Sequence, residues 1–306
     1  MIERDIFERI ARTIDAGSRC LRIWPLGGGI SSEMIAFEAV TADGATRRFV
    51  LRCLSEEALQ VDAHATANEF TLLHGLHARG LPVPQPRLLD ESRVLVEKPY
   101  LVLDYLDGAP SFSPAEPVAF VERFARQLAA IHSTALTPAL AFVPQHVPTV
   151  QRQRRRDVRD AVMDIAPIRR VLSDGAVLST TQRVLLHGDF WPGNVLWHDG
   201  RVVGVVDWEN ARIGEPLADL AIARLEILWL LGADAMEALT QHYRSARDVA
   251  LDALPYWDLD AALRPAFNIA DWARGWPAFG RPDVTESTLR AGHAAFVDQA
   301  LRAIEP

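Results

Sequence analysis

The sequence predicts an α+β fold in two lobes: a small antiparallel-sheet lobe over residues 1–107 and a mostly helical lobe over residues 108–306. Two observations support this prediction. The first third of the chain alternates β-type segments with turn residues, whereas the rest shows mainly helical periodicity. The chain has 306 residues, of which 49% are hydrophobic and 24% charged, so it can bury a large core and is not disordered.

The first lobe is predicted to contain a small antiparallel sheet. Amphipathic periodicity predicts a helix over 4–16 and another over 65–79, which ends before Gly80. Turn residues at Asp43-Gly44 and Glu97-Lys98-Pro99 each separate two β-type segments. The predicted strands cover 32–40, 47–54, 93–96 and 100–105.

The second lobe is predicted to be helical around one short β region. Three strands are expected there, with Asp199-Gly200 as a hairpin turn. They cover 184–186, 195–197 and 202–206. The predicted helices cover 118–133, 220–231, 235–245, 259–275 and 285–304.

Composition excludes several classes of protein. A formal net charge of −8 argues against a nucleic-acid or anionic-membrane surface. Cys20 and Cys53 are the only cysteines, which excludes a disulfide framework and a Cys-rich zinc site. With no apolar signal core at the N-terminus and no apolar run long enough to span a bilayer, we expect a cytoplasmic protein. The sequence does not indicate an oligomeric state.

Two catalytic motifs are also missing. Lys98 is the only lysine, so the glycine-rich loop of P-loop NTPases, which ends in Gly-Lys-Ser or Gly-Lys-Thr, cannot be present. No Gly-x-Ser-x-Gly elbow indicates a serine hydrolase.

The most informative residues are Asp189, Asn194 and Asp207, which lie at strand ends and in the loop of the short β region. Phosphoryl transfer from ATP needs one carboxylate that faces the acceptor hydroxyl, together with an amide and a second carboxylate that hold Mg²⁺. The alternative is that these residues only form turns, in which Asp and Asn are common.

Three motifs together resemble the aminoglycoside phosphotransferase family, small-molecule kinases with a protein-kinase-like fold. They read His187-Gly188-Asp189 with Asn194, then Asp207-Trp208-Glu209, then Gly214-Glu-Pro216-Leu-Ala-Asp219-Leu220-Ala221. The order of the predicted lobes extends the resemblance over almost the whole chain.

The resemblance implies a role for each matching residue. Asp189 would accept or orient the proton of the acceptor hydroxyl, and Asn194 and Asp207 would ligate Mg²⁺. His187 would pack the catalytic loop, and Asp219 would hydrogen-bond the backbone of that loop. Glu209 either supports the metal through water or is a surface carboxylate.

A nucleotide site is expected in the first lobe. The loop Gly27-Gly28-Gly29-Ile-Ser31-Ser32 precedes a strand, as a phosphate-covering loop does, and its glycines let the backbone approach phosphate. The alternative is a flexible turn. In the segment that resembles the kinase lobe connection, the Asp104 carbonyl and the Leu106 amide are the candidates for pairing with adenine.

Arg52 stands where kinases have the phosphate-pairing lysine of their third strand, and Glu69 is placed to be its ion-pair partner. Arginine keeps the positive charge and can bind phosphate in a bidentate way. We therefore expect retained function. One alternative is an inactive pseudokinase scaffold that binds nucleotide without turnover. The other is that Arg52 is an ordinary surface arginine of its strand and Glu69 an ordinary glutamate of its helix.

The predicted function is transfer of a phosphate from ATP (or GTP), with Mg²⁺, to a hydroxyl of a small molecule. The resemblance allows aminoglycosides, macrolides, choline-like amino alcohols, homoserine and sugars as acceptors. A protein kinase is disfavoured because residues 208–219 leave no room for an activation loop. The helices after Asp219 are rich in acids, which mildly favours a cationic acceptor. The basic cluster at 152–156 is a solvated helix face or a patch for an acidic substrate group.

Overall fold

The computed structural model describes residues 4–27, 32–154, 161–173 and 182–305. The chain divides into two compact units. Unit 1 comprises Met1–Asp107 with Val203–Glu209, and unit 2 comprises Gly108–Val202 with Asn210–Pro306. An antiparallel sheet in unit 1 and mostly helices in unit 2 confirm the predicted α+β class.

Unit 1 is built on a five-stranded antiparallel sheet. Its strands are β1 (Arg19–Pro25), β2 (Ser32–Val40), β3 (Thr46–Leu54), β4 (Pro86–Asp90) and β5 (Tyr100–Asp104), in the spatial order β1-β2-β3-β5-β4. β2 and β3 pair from Ser32 with Leu54 to Val40 with Thr46. The predicted turn joins them, and Gly44 there has a φ of 82° that favours glycine.

Three helices accompany this sheet: α1 (Arg4–Ile14), α2 (Glu56–Val61) and α3 (Ala65–Ala78). α3 ends as predicted, because Gly80 has a φ of 80° and its N–H donates to the His77 carbonyl at 2.9 Å. The Leu81 N–H then donates to the Leu76 carbonyl at 3.2 Å, which completes the C-terminal cap.

The core of unit 1 fixes which way Arg52 points. Phe7 of α1 packs on Phe37 with ring centroids 5.3 Å apart, and Phe49 and Leu51 of β3 are buried in the same cluster. Successive side chains of a strand face opposite sides of the sheet. Arg52 therefore leaves the sheet on the face opposite this cluster.

The predicted strand over 93–96 is wrong. Its place at the sheet edge is taken by β4, which begins at Pro86 and pairs with β5. An edge strand accepts a proline because one of its sides needs no N–H donors. Arg93 has a φ of 58°, a left-handed conformation that a strand does not contain. β1 was not predicted, and it pairs antiparallel with β2 at the other edge.

Unit 2 contains most of the helices. They are α4 (Pro117–His132), α5 (Thr149–Arg152), α6 (Ala166–Val171), α7 (Pro216–Leu231), α8 (Ala233–Ala246), α9 (Leu254–Ala262), α10 (Ile269–Gly275) and α11 (Glu286–Ile304). α7 is buried along nearly its whole length and packs against α8 and α9. Because α7 is surrounded in this way, residues in its first turns are held rigidly.

The short β region follows the prediction closely. It contains β6 (Val184–Leu186), β7 (Val195–His198), β8 (Arg201–Val205) and β9 (Arg212–Gly214). β6 pairs with β9, and β7 pairs with β8. Asp199 and Gly200 connect the latter two with φ values of 47° and 68°, as the mirror-image turns of hairpins require.

One predicted helix of unit 2 is interrupted. The segment 259–275 was predicted as a single helix, but α9 ends at Ala262 and α10 begins at Ile269. Pro265 lies between them, and proline has no N–H to continue a helix. The last helix begins as predicted, with the Thr285 hydroxyl accepting from the Thr288 N–H.

Among the described residues, every helix is too short or too polar to cross a membrane.

Candidate functional site

Arg52 of β3 is the centre of a charged group in unit 1, which we call the Arg52 group. Its side chain is only 5% exposed, and its Nε donates to Glu69 Oε2 of α3 at 3.2 Å. Its Nη2 contacts Asp207 Oδ1 at 3.2 Å and Glu209 Oε2 at 3.4 Å. The expected Arg52–Glu69 ion pair is present, and two further carboxylates join it.

The Arg52 group has more carboxylates than cations. Burial alone would lower the pKa of Arg52, but the charges of Glu69, Asp207 and Glu209 raise it, so the guanidinium stays charged. Burial raises the pKa of Glu69, although Arg52 opposes this. Asp207 and Glu209 are the partly accessible members, with 32% and 28% of their side chains exposed. The group therefore offers carboxylate oxygens to a further cation.

Asp207 is held in an unusual conformation. Its φ is 66°, in the left-handed region that non-glycine residues rarely adopt. It follows β8 directly, and the Trp208 indole N–H donates to the Val205 carbonyl at 3.0 Å across the turn. Backbone strain of this kind is concentrated at functional sites, where it aims a side chain.

A second group surrounds Asp189 in unit 2, in the loop that follows β6. Asp219, in the first turn of α7, accepts from the N–H of His187 at 2.7 Å and from that of Gly188 at 2.9 Å. Gly188 has a φ of 80°, and a Cβ there would lie 1.9 Å from the Asn210 carbonyl oxygen. The backbone before Asp189 is therefore fixed by hydrogen bonds and by lack of space.

The Asp219 carboxylate is itself held by a buried network. His132 Nε2 lies 3.2 Å from Asp219 Oδ2, and His132 Nδ1 lies 2.6 Å from the Tyr243 hydroxyl. Burial lowers the pKa of His132, so its ring is neutral at pH 7. Burial would raise the pKa of Asp219, but the hydrogen bonds from His132 and the His187 N–H bring it below its usual value. Tyr243 is completely buried in this network.

Asn194 is directed at Asp189. It ends a turn of 3-10 helix over Pro192–Asn194, and its Nδ2 donates to the Asp189 carbonyl at 3.0 Å and to Asp189 Oδ2 at 3.3 Å. Within the described residues, Asn194 Oδ1 makes no hydrogen bond. That oxygen is therefore the atom of Asn194 that can act as a ligand.

Arg264 and Glu226 join this group and were not predicted. Arg264, in the turn after α9, forms an ion pair with Asp189 Oδ1, and its guanidinium lies 5.8 Å from the ring centre of Trp272. Burial raises the pKa of Glu226 to about 8, with a smaller opposing effect of Arg264. We call Asp189, Arg264 and Glu226 the Asp189 group. No local sequence pattern relates these three residues, which meet through the packing of α7 on α9.

The predicted nucleotide residues are partly within the described chain. Gly28, Gly29 and Ser31 lie outside the described residues, whereas Gly27 and Ser32 lie on either side of that gap. Ser32 Oγ is buried and has no hydrogen-bond partner among the described residues. It therefore remains available as a donor to a ligand.

The connecting segment after β5 also has an open donor. The Asp104 side chain is held by Arg87 through contacts of 2.7 and 2.6 Å, and the Tyr105 N–H donates to the Arg48 carbonyl at 3.0 Å. In the described chain, the Leu106 N–H has no hydrogen-bond acceptor. An adenine ring needs a backbone donor of this kind.

Most tryptophans that follow Asp219 in the chain have structural roles. Trp257 and Trp276 are buried, and the Trp229 indole donates to the Leu289 carbonyl at 2.9 Å. Trp272 is the one that lies beside Arg264.

Comparison with known proteins shows what this arrangement is similar to. The sequence model of a family described as "Phosphotransferase enzyme family" matches residues 23–257. Acyl-CoA dehydrogenase family member 11 of Rattus norvegicus is 26% identical over 262 residues, which are 75% of this chain and 33% of that protein. The chain thus spans about a third of the length of these curated relatives.

Solved structures share the fold over nearly the whole chain. Macrolide 2'-phosphotransferase of Brachybacterium faecium superposes with a TM-score of 0.64 at 19% identity, covering 99% of this chain and 98% of that one. A thermostable mutant of an aminoglycoside phosphotransferase, in ternary complex with AMP-PNP and hygromycin B, superposes with a TM-score of 0.61 at 18% identity, covering 97% and 98%. The predicted kinase-like fold and the predicted family resemblance are both confirmed.

Proposed function

The chain belongs to the phosphotransferase enzyme family, and we propose that it transfers the γ-phosphate of ATP to a hydroxyl group of a small molecule. The observation that carries the proposal is the fixed carboxylate of Asp189. Asp219 holds the backbone before it, and Asn194 and Arg264 each contact one of its oxygens. A carboxylate held in one orientation can receive a proton from a hydroxyl without reorganisation.

The proposed reaction transfers the γ-phosphoryl group of ATP to the acceptor oxygen. The acceptor oxygen forms a bond to the γ-phosphorus, and the bond from that phosphorus to the bridging oxygen of ATP breaks. Asp189 takes the hydroxyl proton, and ADP leaves. His187 is completely buried, so we assign it to packing of the loop and not to proton transfer.

The Arg52 group fits a metal-bound nucleotide. One buried guanidinium faces three carboxylates, and oxygen donors of this kind suit Mg²⁺. Among the described residues, no cluster of three or more His, Cys, Asp or Glu is arranged to hold a metal alone. Mg²⁺ usually binds one or two carboxylates together with phosphate oxygens and water.

The metal ligands are proposed from the motif spacing. Asn194 and Asp207 would hold Mg²⁺, and when bound, the ion neutralises charge on the phosphates. Arg52 would bind phosphate, and Glu69 would keep the guanidinium in place from α3. Glu209 contacts Arg52 directly, which favours a role in this group over that of an isolated surface carboxylate.

The nucleotide side is proposed from the first lobe. Gly27, Gly28, Gly29, Ser31 and Ser32 would cover the phosphates, and the Asp104 carbonyl and the Leu106 N–H would pair with the base. The open Ser32 hydroxyl and the open Leu106 N–H support this assignment. Residues 1–107 would thus bind nucleotide, and residues 108–306 would supply catalysis and the acceptor site. A relative that holds AMP-PNP and hygromycin B together supports the pairing of a nucleotide with a small-molecule acceptor. A cytoplasmic location remains a prediction.

The test is phosphate transfer from γ-labelled ATP across a panel of hydroxyl compounds, with and without Mg²⁺. Asp189→Asn should lower kcat by about hundredfold to ten-thousandfold while nucleotide still binds. Asp199→Asn is the matched control, because Asp199 lies in an exposed hairpin turn. Full transfer by the Asp189 variant would reject the proposal. Nucleotide binding without transfer to any compound, in the unmodified protein, would favour the pseudokinase scaffold.

A further inference from the structure

Unit 2 contains a cavity of about 340 Å³ beside the Asp189 loop. Gly188 and Asn210 line one part of it, and Arg152 of α5, Arg212 of β9 and His146 line another. A cavity of this volume is large enough for a small organic ligand. Its wall includes Gly188, the residue before Asp189, so a compound bound in it would lie near the Asp189 loop.

Two guanidiniums, Arg152 and Arg212, line this cavity together with the carboxylates of Asp219 and Asp260. Burial lowers the pKa of both Arg152 and Arg212, and the positive charge of Arg152 lowers that of Arg212 further. Asp260 acts on Arg152 in the opposite direction, and Arg264 acts in the same direction as burial. Arg152 thus lies within electrostatic range of both Arg212 and Arg264, and an anion that entered the cavity would be stabilised by the two guanidiniums on its wall.

The carboxylates at the cavity are engaged elsewhere. Asp260 of α9 accepts from the N–H groups of Thr149 and Val150, both at 2.8 Å. Asp219 accepts from the N–H groups that precede Asp189. In the part of the chain that the structure describes, Arg152 forms no ion pair with a carboxylate; its Nη2 contacts the Thr149 hydroxyl at 3.2 Å.

His146 adds a neutral hydrogen-bonding group. Burial lowers its pKa to about 4, and the charges of Arg152 and Arg212 act in the same direction, so the ring is uncharged at pH 7. A neutral imidazole can donate to an anion through one ring nitrogen. The wall therefore combines two guanidiniums and a neutral donor with two carboxylates; the carboxylates accept backbone hydrogen bonds, and among the described residues Arg152 has no carboxylate in ion-pair contact.

We propose that this cavity binds the phosphate acceptor and selects one that carries an anionic group, a carboxylate or a phosphate, in addition to its hydroxyl. The inference rests on the proposed function and names the class of acceptor for the same site. Arg152 and Arg212 would bind the anionic group in the bidentate manner that guanidiniums favour.

The acidic residues of the later helices had suggested a cationic acceptor, but the structure places them in other contacts. Asp258 pairs with the buried Arg224 at 3.1 Å, and Asp260 caps the start of α5. Glu226 is protonated near neutral pH because it is buried. Composition along these helices therefore does not describe the charge of the cavity.

The experiment measures binding and transfer with a matched set of probes. β-Hydroxybutyrate is compared with its primary amide and with the amino alcohol in which an aminomethyl group replaces the carboxylate; inorganic phosphate tests for a bare anion. Calorimetry gives affinity with and without saturating Mg²⁺ and AMP-PNP, and γ-labelled ATP reports transfer. Longer hydroxy acids, amides and amino alcohols extend each series.

We expect hydroxy acids to bind at least about tenfold more tightly than their amides. Arg152→Gln and Arg212→Gln should each remove most of that preference, whereas Arg126→Gln, an exposed arginine of α4, should not. Arg152→Lys should retain part of it, and unchanged melting without ligand shows that a variant has folded. If neither Gln variant folds, the comparison of acids with amides in the unmodified protein decides.

Equal or stronger binding of the amides or amino alcohols would overturn the inference. So would loss of hydroxy-acid binding when AMP-PNP saturates the protein, because the cavity would then belong to the nucleotide. Transfer to neutral or cationic compounds alone would reject the anionic acceptor and leave the proposed kinase intact. Absence of any transfer, with selective binding of hydroxy acids, would instead reject the kinase and leave the anion site.

Discussion

The Arg52 group and the Asp189 group differ in charge balance: the first has more carboxylates than cations, and the second is balanced. Around Arg52, three carboxylates share one buried guanidinium, and Asp207 remains accessible. Around Asp189, Arg264 forms an ion pair with the Asp189 carboxylate, and burial raises the pKa of Glu226 to about 8, so that Glu226 is protonated at neutral pH. The difference supports the proposal that the first group binds a metal-bound nucleotide and that the second receives the proton of a reactive hydroxyl.

The largest expected effect comes from breaking the Arg52 group. Arg52→Met leaves Glu69 buried without a partner, so the free energy of unfolding should fall by about 3–5 kcal/mol. Urea denaturation measures this. The double variant Arg52→Met with Glu69→Leu should recover a large part of the loss, because no charge remains buried alone. If the double variant is no more stable than Arg52→Met, the cluster is not held together by this pair.

The next effect concerns Glu226 and pH. Its pKa is about 8 in the folded protein and near the ordinary 4.5 in the unfolded chain. Between these values the unfolded chain releases a proton that the folded protein keeps, so stability falls as pH rises from about 4.5 to 8, by a few kcal/mol. In Glu226→Gln the decline should be much smaller, whereas the exposed Glu91→Gln should behave like the unmodified protein. An identical pH profile in the Glu226 variant would show that Glu226 is ionised in the fold.

A smaller effect distinguishes the stability cost of a left-handed backbone conformation from the cost of a steric clash. Gly188 and Gly80 both have a φ of 80°, but only at Gly188 would a Cβ collide with the backbone of Asn210. Gly80→Ala should cost about 1 kcal/mol for its left-handed conformation. Gly188→Ala should cost about 2 kcal/mol or more and also lower transfer activity, because the Asp189 loop must shift. Equal losses of stability in the two variants would mean that the loop is not tightly packed.

The sequence predicted those parts of the site whose geometry is set by residues close to one another in the chain. His187 to Asn194 and Asp207 to Glu209 lie in short strands and turns, where neighbouring residues set the geometry, and the Asp199-Gly200 hairpin formed as expected. Arg52 and Glu69 were paired from their positions on a strand and the next long helix, and their ion pair is present.

Residues that depend on tertiary packing were not predicted. Arg264 contacts Asp189, which lies 75 residues earlier in the chain. Helix packing brings the two residues together, and local hydrophobic periodicity does not show how helices pack on one another. His132 meets Asp219 in the same way. The edge strand β4 was not predicted; it begins at Pro86, a residue that strands accept mainly at a sheet edge, and edge position is set by tertiary pairing. The charge of the cavity was also hidden, since sequence counts acids without showing which ones are engaged.

The most direct test of the separate roles of the Arg52 group and the Asp189 group is calorimetric measurement of AMP-PNP binding, with Mg²⁺ and with EDTA. The proteins compared are the unmodified protein, Asp207→Asn and Asp189→Asn. The account predicts that Asp207→Asn loses about tenfold or more of the Mg²⁺-dependent affinity. Asp189→Asn should bind the nucleotide within about twofold of the unmodified protein. Mg²⁺-dependent affinity that survives in Asp207→Asn, or an equal loss in both variants, would contradict it.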